Sequence, residues 1–186
     1  MPTVAPLIDY AAARKGLVQA VAAGTGLAPN RIIRLQGQGP VQAPPPRPYA
    51  TFLFRMAAMR VNYRDSMVPA PEVSPSAYYL KGNRGIAVDL TFYADDQDAA
   101  YGLAANMQSA LFADPILALL RAQNFVIWQI GDVTDTAALL GTGFEGRALL
   151  EFQMWTTTAK LVDPDQIDGL RIVGDFTGDV GLELTE

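Results

Sequence analysis

The spacing of apolar residues predicts a first helix near the start of the chain. Residues 7–23 place apolar side chains, Leu17 and Val21 among them, on one face at the helical period of about 3.6, and two glycines then end the pattern. The opposite side carries mostly alanine and glycine, which permits close packing. Arg14 lies within the predicted apolar face, so we expect it either to pair with a buried acid or to lie at a subunit contact.

Two further helices are predicted from their start signals. Asp95 or Asp96 can cap a helix that runs to about residue 112. The predicted core face of that helix consists of Ala99, Leu103, Met107, Ala110 and Leu111. Asp114 followed by Pro115 then marks the beginning of a short third helix.

Alternation with a period of two predicts the strands. The predicted strands cover residues 31–35, 50–63, 77–80, 85–94, 125–130 and 146–159. A change of phase near Ala57 indicates a bulge, and residues 81–84 are predicted as the turn of a hairpin. Residues 131–146 are predicted as a loop. The side chains predicted to point inward include Ile86, Val88, Leu90, Phe92, Leu150, Phe152 and Met154.

Together these elements predict a single-domain α+β protein over residues 1–186, with a mixed, mostly antiparallel sheet and helices packed on one face. Two proline-rich loops are predicted at residues 37–48 and 64–76, and the first of them cannot form helix or central strand. An acidic tail covers residues 162–186, with strands predicted at residues 170–173 and 181–184.

Composition narrows the chemistry. The chain has no Cys and no His, which removes thiol chemistry, the commonest general base and the commonest transition-metal ligand. No secretory signal and no membrane-length apolar run is visible, so we expect a soluble protein made in a cytoplasm. Charged residues form only 18% of the chain, which favours burial of apolar surface between subunits, although a well-filled monomer core is the alternative.

Charge is divided unevenly along the chain. Residues 1–90 hold ten basic and four acidic residues, whereas residues 91–186 hold four basic and fifteen acidic ones. The halves could interleave and neutralise each other, or they could give a subunit two opposed faces that pack head to tail. In the second interpretation, a basic group on one copy faces an acidic group on the next. The predicted interface residues are basic Arg31, Arg34, Arg55 and Arg60, acidic Asp163, Asp165 and Asp168, and in addition Arg14 and the first-loop prolines Pro44, Pro45 and Pro46.

Other candidate motifs lack the context that their chemistry needs. The segment GTGFEG at residues 141–146 matches a dinucleotide fingerprint, but a strand follows it where a helix is required. Asp95, Asp96 and Asp98 lack the frame of a Ca²⁺ loop and are better explained by helix capping. The pairs Asp132/Asp135 and Asp163/Asp165 are interpreted as surface acids. Trp128 and Trp155 are predicted to lie in the core or at an interface, and we expect no cofactor and no metal.

The order of elements resembles the neck or tail terminator family of tailed bacteriophages. Three segments carry the resemblance. The first is the strand from Arg84 to Tyr93, which leads into an Asp-rich helix start, and the second is the short helix Ile116 to Gln123, which is followed by a strand. The third is Phe144 to Ala148, which begins a strand that ends in Thr156-Thr157-Thr158. The resemblance covers about residues 5–174.

The resemblance implies a non-enzymatic virion subunit. Such subunits form a six-fold ring between the portal–adaptor complex and the tail tube or sheath, and genomic DNA passes through the lumen without specific binding. No membrane partner is implied, and synthesis would take place in the host cytoplasm. The alternatives are a head–tail adaptor or tube-like protein of the same particle and, from a different class, a small enzyme that uses only carboxylates.

Overall fold

A computed structural model describes residues 8–35, 43–60, 65–140 and 143–162 of the chain. The elements, in chain order, are α1 (Tyr10–Thr25), a single 3₁₀ turn (Pro29–Arg31), β1 (Ile32–Arg34), β2 (Tyr49–Arg60), β3 (Ser66–Pro69), β4 (Tyr78–Ala94), α2 (Gln97–Ala110), α3 (Asp114–Arg121), β5 (Val126–Asp135), β6 (Ala138–Leu140) and β7 (Gly143–Val162).

The strands form one open mixed sheet with the order β1-β2-β4-β7-β5. β1 runs parallel to β2, and every other neighbouring pair is antiparallel. β3 pairs with the first residues of β4, beyond the end of β2, while β6 pairs only with the start of β7. Because β4 and β7 pair along their whole length, they form the central axis of the sheet.

The hydrophobic core lies between one face of this sheet and the three helices. Phe52, Phe92, Leu150 and Met154 cover that face and are fully buried against Leu17, Met107, Leu111 and Leu120 of the helical layer and its ends. Alternation in β4 and β7 explains the arrangement, since every second residue points to the same side. The predicted fold class, a mixed and mostly antiparallel sheet with helices on one face, is confirmed.

Several local predictions are confirmed as well. Asp96 caps α2 by accepting a hydrogen bond from the Ala99 backbone N–H at 2.7 Å. The register of β2 against β4 shifts between Phe54 and Met56 and again between Met56 and Met59, which places bulges where the apolar phase changes. The predicted strands at residues 170–173 and 181–184 lie outside the described residues.

Three loop predictions were wrong. Residues 81–84 are not a turn but part of the continuous strand β4, because Lys81 pairs with Ser66 of β3 on one side and Ala159 of β7 on the other. The second proline-rich segment contains β3, with Pro69 at its end. Residues 131–146 are not a loop, because bulges let β5 continue to Asp135 before β6 and β7 follow.

The helix faces also needed correction. Leu17 and Val21 of the predicted apolar face are buried, but the other buried residues of α1 are the small ones, Ala13, Gly16 and Ala20. This arrangement leaves Arg14 exposed to solvent. A Cβ on Gly16 would approach Gln123 Cγ to 3.1 Å, so close helix packing selects the small residues. In α2 the buried residues are Ala100, Ala104 and Met107, and Ala99 is exposed.

Candidate functional site on the open face of the sheet

The side of the sheet opposite the helices is not covered by any described element; we call it the open face. It consists of the alternate side chains of the central strands, which point away from the core. Polar and aromatic residues dominate it, chiefly Tyr49, Thr51, Arg55, Asp89, Thr91, Tyr93, Arg147, Glu151, Gln153 and Trp155. The open face is the broadest polar surface that the sheet presents.

A three-residue charge cluster occupies the centre of the open face. Arg55, displaced by the first bulge of β2, lies between Asp89 of β4 and Glu151 of β7. Its Nη1 is 2.7 Å from Glu151 Oε1, and its Nε is 3.4 Å from Asp89 Oδ1. Burial raises the pKa of the Asp89 carboxyl above its ordinary value, although Arg55 opposes the change. The arginine therefore contacts two acids and carries no unpaired charge.

A second cluster lies where β7 begins. The carboxylate of Glu145, whose side chain is only 6% exposed, forms ion pairs with Arg47 and Arg147. The Nε of Arg147 donates to Glu145 Oε2 at 2.7 Å. The guanidinium of Arg147 also lies 5.2 Å from the ring centre of Tyr93, which stacks on Tyr49 with ring centres 4.5 Å apart. Glu145 thus pairs with both arginines at this end of the face, and Asp95, 3.8 Å from Arg47, supplies the second acid that balances their charge.

The acidity of Glu145 follows from this geometry. Burial on its own would raise the pKa of the carboxyl, but hydrogen bonds from Arg147 and Arg47 outweigh it and leave the pKa below its ordinary value. A lowered folded-state pKa stabilises the fold above the unfolded-state pKa of about 4.3, and the contribution is lost as the pH falls through the folded value.

We therefore expect Glu145→Gln to cost about 2 kcal/mol at pH 7, since hydrogen bonds to charged groups are removed. The free energy of unfolding, measured by urea denaturation from pH 7 to pH 3, should differ between wild type and variant above about pH 4.3. The two should converge below it. A difference that stays constant down to pH 3 would contradict this role. Glu72→Gln, at an exposed turn, is the control.

The two tryptophans form the third feature of the open face. Trp128 of β5 stacks on Trp155 of β7, with ring centres 4.0 Å apart and planes inclined by 18°. Trp128 is 61% exposed, and the neighbouring Val126 is 47% exposed. The prediction of a core position is therefore wrong for Trp128, and an apolar patch remains open at this edge of the sheet.

The sequence-predicted interface residues that the structure describes lie at separate places within one copy, and the predicted contact between copies stays a prediction. Arg55 belongs to the central cluster, whereas Arg31 donates to the Pro48 carbonyl at 3.4 Å and Arg34 lies 5.8 Å from the ring centre of Phe54. Pro44, Pro45 and Pro46 lie outside regular secondary structure and are exposed or half-buried. Arg60 ends β2, while Asp163, Asp165 and Asp168 fall outside the described residues.

Sequence reasoning missed the Glu145 cluster. Its signal was present, since Glu145 and Arg147 are two residues apart and must share one face of a strand. Because residues 131–146 were predicted as a loop, Glu145 was not assigned to the same strand as Arg147. Arg47 comes from a distant loop, and only the folded structure brings it to Glu145.

Other site types find little support within the described residues. They contain no group of three or more acidic side chains placed to hold a metal ion. None of their helices is individually long and apolar enough to cross a membrane; α2 and α3, bent by 74°, meet that test only as a pair, by length and composition. A depression of about 220 Å³ on the open face includes Arg55 and Glu151, which are paired with each other.

Comparison with known protein families identifies the family of this chain. The model of the phage neck terminator protein family matches residues 11–179, which is most of the chain. The chain belongs to the phage neck terminator family. No curated protein sequence matches it.

Membership in the neck terminator family confirms the resemblance found in the sequence. It identifies a structural protein of a bacteriophage neck, located in the virion and in contact with other neck or tail proteins. The family also agrees with a non-enzymatic role.

Proposed function

We propose that this neck terminator forms a closed ring, with six-fold symmetry, that joins the portal–adaptor complex to the tail tube and lets the genome pass. In this proposal the open face of each copy lines the channel and the helices lie outside. The observation that carries it is the charge state of the open face. Each arginine described there is paired with a carboxylate: Arg55 with Asp89 and Glu151, and Arg47 and Arg147 with Glu145.

A channel for DNA needs such a surface. Unpaired arginines bind phosphate, and the affinity grows with each contact because counterions are released. A lumen with several free arginines per copy would retain the genome during ejection. Paired arginines keep the surface polar and hydrated while offering phosphates no net attraction. The three paired arginines of the open face meet both requirements.

The proposal is tested by measuring DNA affinity. Wild-type rings should not bind a fluorescein-labelled duplex at 50 mM salt in anisotropy titrations. The double variant Asp89→Asn with Glu151→Gln frees one arginine per copy. Its rings should bind the duplex, and six such contacts predict an affinity loss of about 10³-fold between 50 and 200 mM salt.

The control variant makes the same charge change elsewhere. Glu72→Gln with Asp98→Asn removes two exposed acids, one from the turn after β3 and one from α2. It should leave the rings without DNA affinity. Equal DNA binding by both double variants would show that net charge decides, and it would remove the open face from the channel.

A tube-like protein of the same particle is the alternative that the fold itself favours. An open sheet whose two outer strands have no further partner among the described residues suits stacked rings as well as a single ring. Electron microscopy of the purified protein separates the two, because a terminator gives single rings and a tube protein gives long polymers.

A further inference from the structure

The two edges of the sheet differ in length and composition. At one edge lies β5, ten residues long, whose outer side has no partner among the described residues. At the other edge β1 covers only three residues of β2, so most of the outer side of β2 is also without a described partner. Long exposed edges attract further strands unless they are covered. Exposed Val126 and Trp128 on β5, and Leu35, 58% exposed beside β1, show that apolar side chains accompany these edges.

Strand direction makes the two edges compatible. β1 and β2 run one way, β4 runs the other, β7 returns and β5 reverses again. β5 therefore runs opposite to β1. Rotation about an axis parallel to the strands preserves direction, so β5 of one copy would meet β1 of the next as an antiparallel pair.

The register of the sheet sets the two edges at the same level. One row of paired residues crosses the sheet from Ile33 through Thr51, Thr91 and Leu149 to Thr134. The next row begins at Arg34 and ends at Val133. In a ring without axial stagger, β1 of one copy therefore lies opposite the end of β5 in its neighbour.

The charges at that level are complementary. Arg31 precedes β1 and Arg34 is its last residue, while Asp132 and Asp135 lie in the facing part of β5. Arg34 is exposed, and its row of paired residues ends at Val133 on the helix side of the sheet, the side on which Asp135 pairs with Ala148. Asp135 accepts a hydrogen bond from Gln97 at 3.1 Å and still presents an exposed carboxylate. Opposite charges on unlike edges favour a head-to-tail contact over a contact between identical edges.

We propose that β5 of one copy pairs with β1 of the next copy, so that the sheet continues around the ring. The proposal rests on the ring proposed above and specifies its contact. Main-chain hydrogen bonds hold the strands, Asp135 lies diagonally opposite Arg34 on the helix side of the sheet, and Trp128 lies over the space that the short β1 leaves beside the neighbour's β2. Such strand addition uses backbone groups for affinity and side chains for register.

Cysteine cross-linking tests the register directly, because the chain has no Cys of its own. Opposed residues of antiparallel strands have Cα atoms about 4.5–5.5 Å apart, which suits a disulfide. Under oxidation, Ile33→Cys with Thr134→Cys should give covalent ladders up to the full ring. Each single variant should stay uncross-linked, since identical residues do not meet. Ile33→Cys with Ser109→Cys, on the exposed side of α2, is the matched control.

Charge exchange tests the same contact without new bonds. Arg34→Asp and Asp135→Arg, each alone, should reduce the fraction of rings at micromolar concentration at least tenfold. The two together should restore it. Asp98→Arg, an equal change on α2, should leave assembly intact. Mass photometry gives the ring fraction, and the emission of exposed Trp128 should shift to shorter wavelength when rings form.

The outcomes separate the two proposals. If wild-type protein stays monomeric with and without its neck or tube partners, the proposed ring fails. If rings form but the cysteine pair gives no ladder and the charge variants assemble normally, the ring stands and the edge contact is overturned. In that case another occupant, such as residues 163–186 of the same chain, covers β5.

Discussion

Alanine in place of Gly146 is expected to cost about 4 kcal/mol of folding free energy, the sum of overpacking and a lost helix cap. A Cβ at this position would overlap the carbonyl group of Asp96 and lie 2.8 Å from the backbone nitrogen of Gln97. These are main-chain atoms at the start of α2 and have no side-chain freedom to move away. Shifting them would break the cap that Asp96 forms with Ala99.

Gly102→Ala is the matched control for this prediction. Gly102 lies in the exposed part of α2, and a Cβ there meets nothing within 4 Å. Alanine should stabilise the helix by about 0.5–1 kcal/mol. Urea denaturation of both variants gives the comparison. A free energy of unfolding for Gly146→Ala within 1 kcal/mol of wild type would contradict the tight contact between β7 and α2.

The second large effect is expected for Asp65→Asn, at about 3–5 kcal/mol. Asp65 and Arg84 form a bidentate ion pair at 2.9 and 2.7 Å, with side chains 6% and 7% exposed. The hydrogen bonds that Arg84 donates to Asp65 raise the pKa of Arg84 against the effect of burial. Without the carboxylate, Arg84 stays charged and is left buried without its counter-ion.

A double variant separates the pair from its individual charges. Asp65→Leu with Arg84→Met removes both ions and should recover most of the loss, because apolar replacements of a buried pair are often nearly neutral. Glu72→Gln, an exposed acid between β3 and β4, should change stability by less than about 0.5 kcal/mol. If Asp65→Asn is equally harmless in thermal and urea unfolding, the pair does not stabilise the β3–β4 contact.

The sequence predicts those parts of the fold in which a local pattern and its burial coincide. The alternation of apolar residues from Ile86 to Phe92 and from Leu150 to Met154 correctly predicted the core face of β4 and β7, and Asp96 correctly predicted the start of α2. Residues 81–84 were wrongly predicted as a turn, because Gly and Asn are typical of turns. Here Gly82 is required for a different reason, since a Cβ would collide with the Asp65–Arg84 pair.

Long-range contacts explain the rest of what sequence reasoning missed. The larger apolar residues of α1 suggested its buried face, but packing against α2 and the end of α3 selects Gly16 and Ala20. The charge balance of the open face depends on arginines that contact acids far away in the sequence, as Arg55 contacts Asp89. Charge counts along the chain cannot show which arginines are paired.

The central claim is a ring whose open face surrounds the DNA, and a cryo-electron microscopy reconstruction of the virion neck tests it most directly. The account predicts six copies of this chain between the portal–adaptor complex and the tail tube. It places Arg55 and Glu151 toward the channel and α2 on the outside. A ring in which the helices line the channel, or a position for this protein outside the neck, would contradict it.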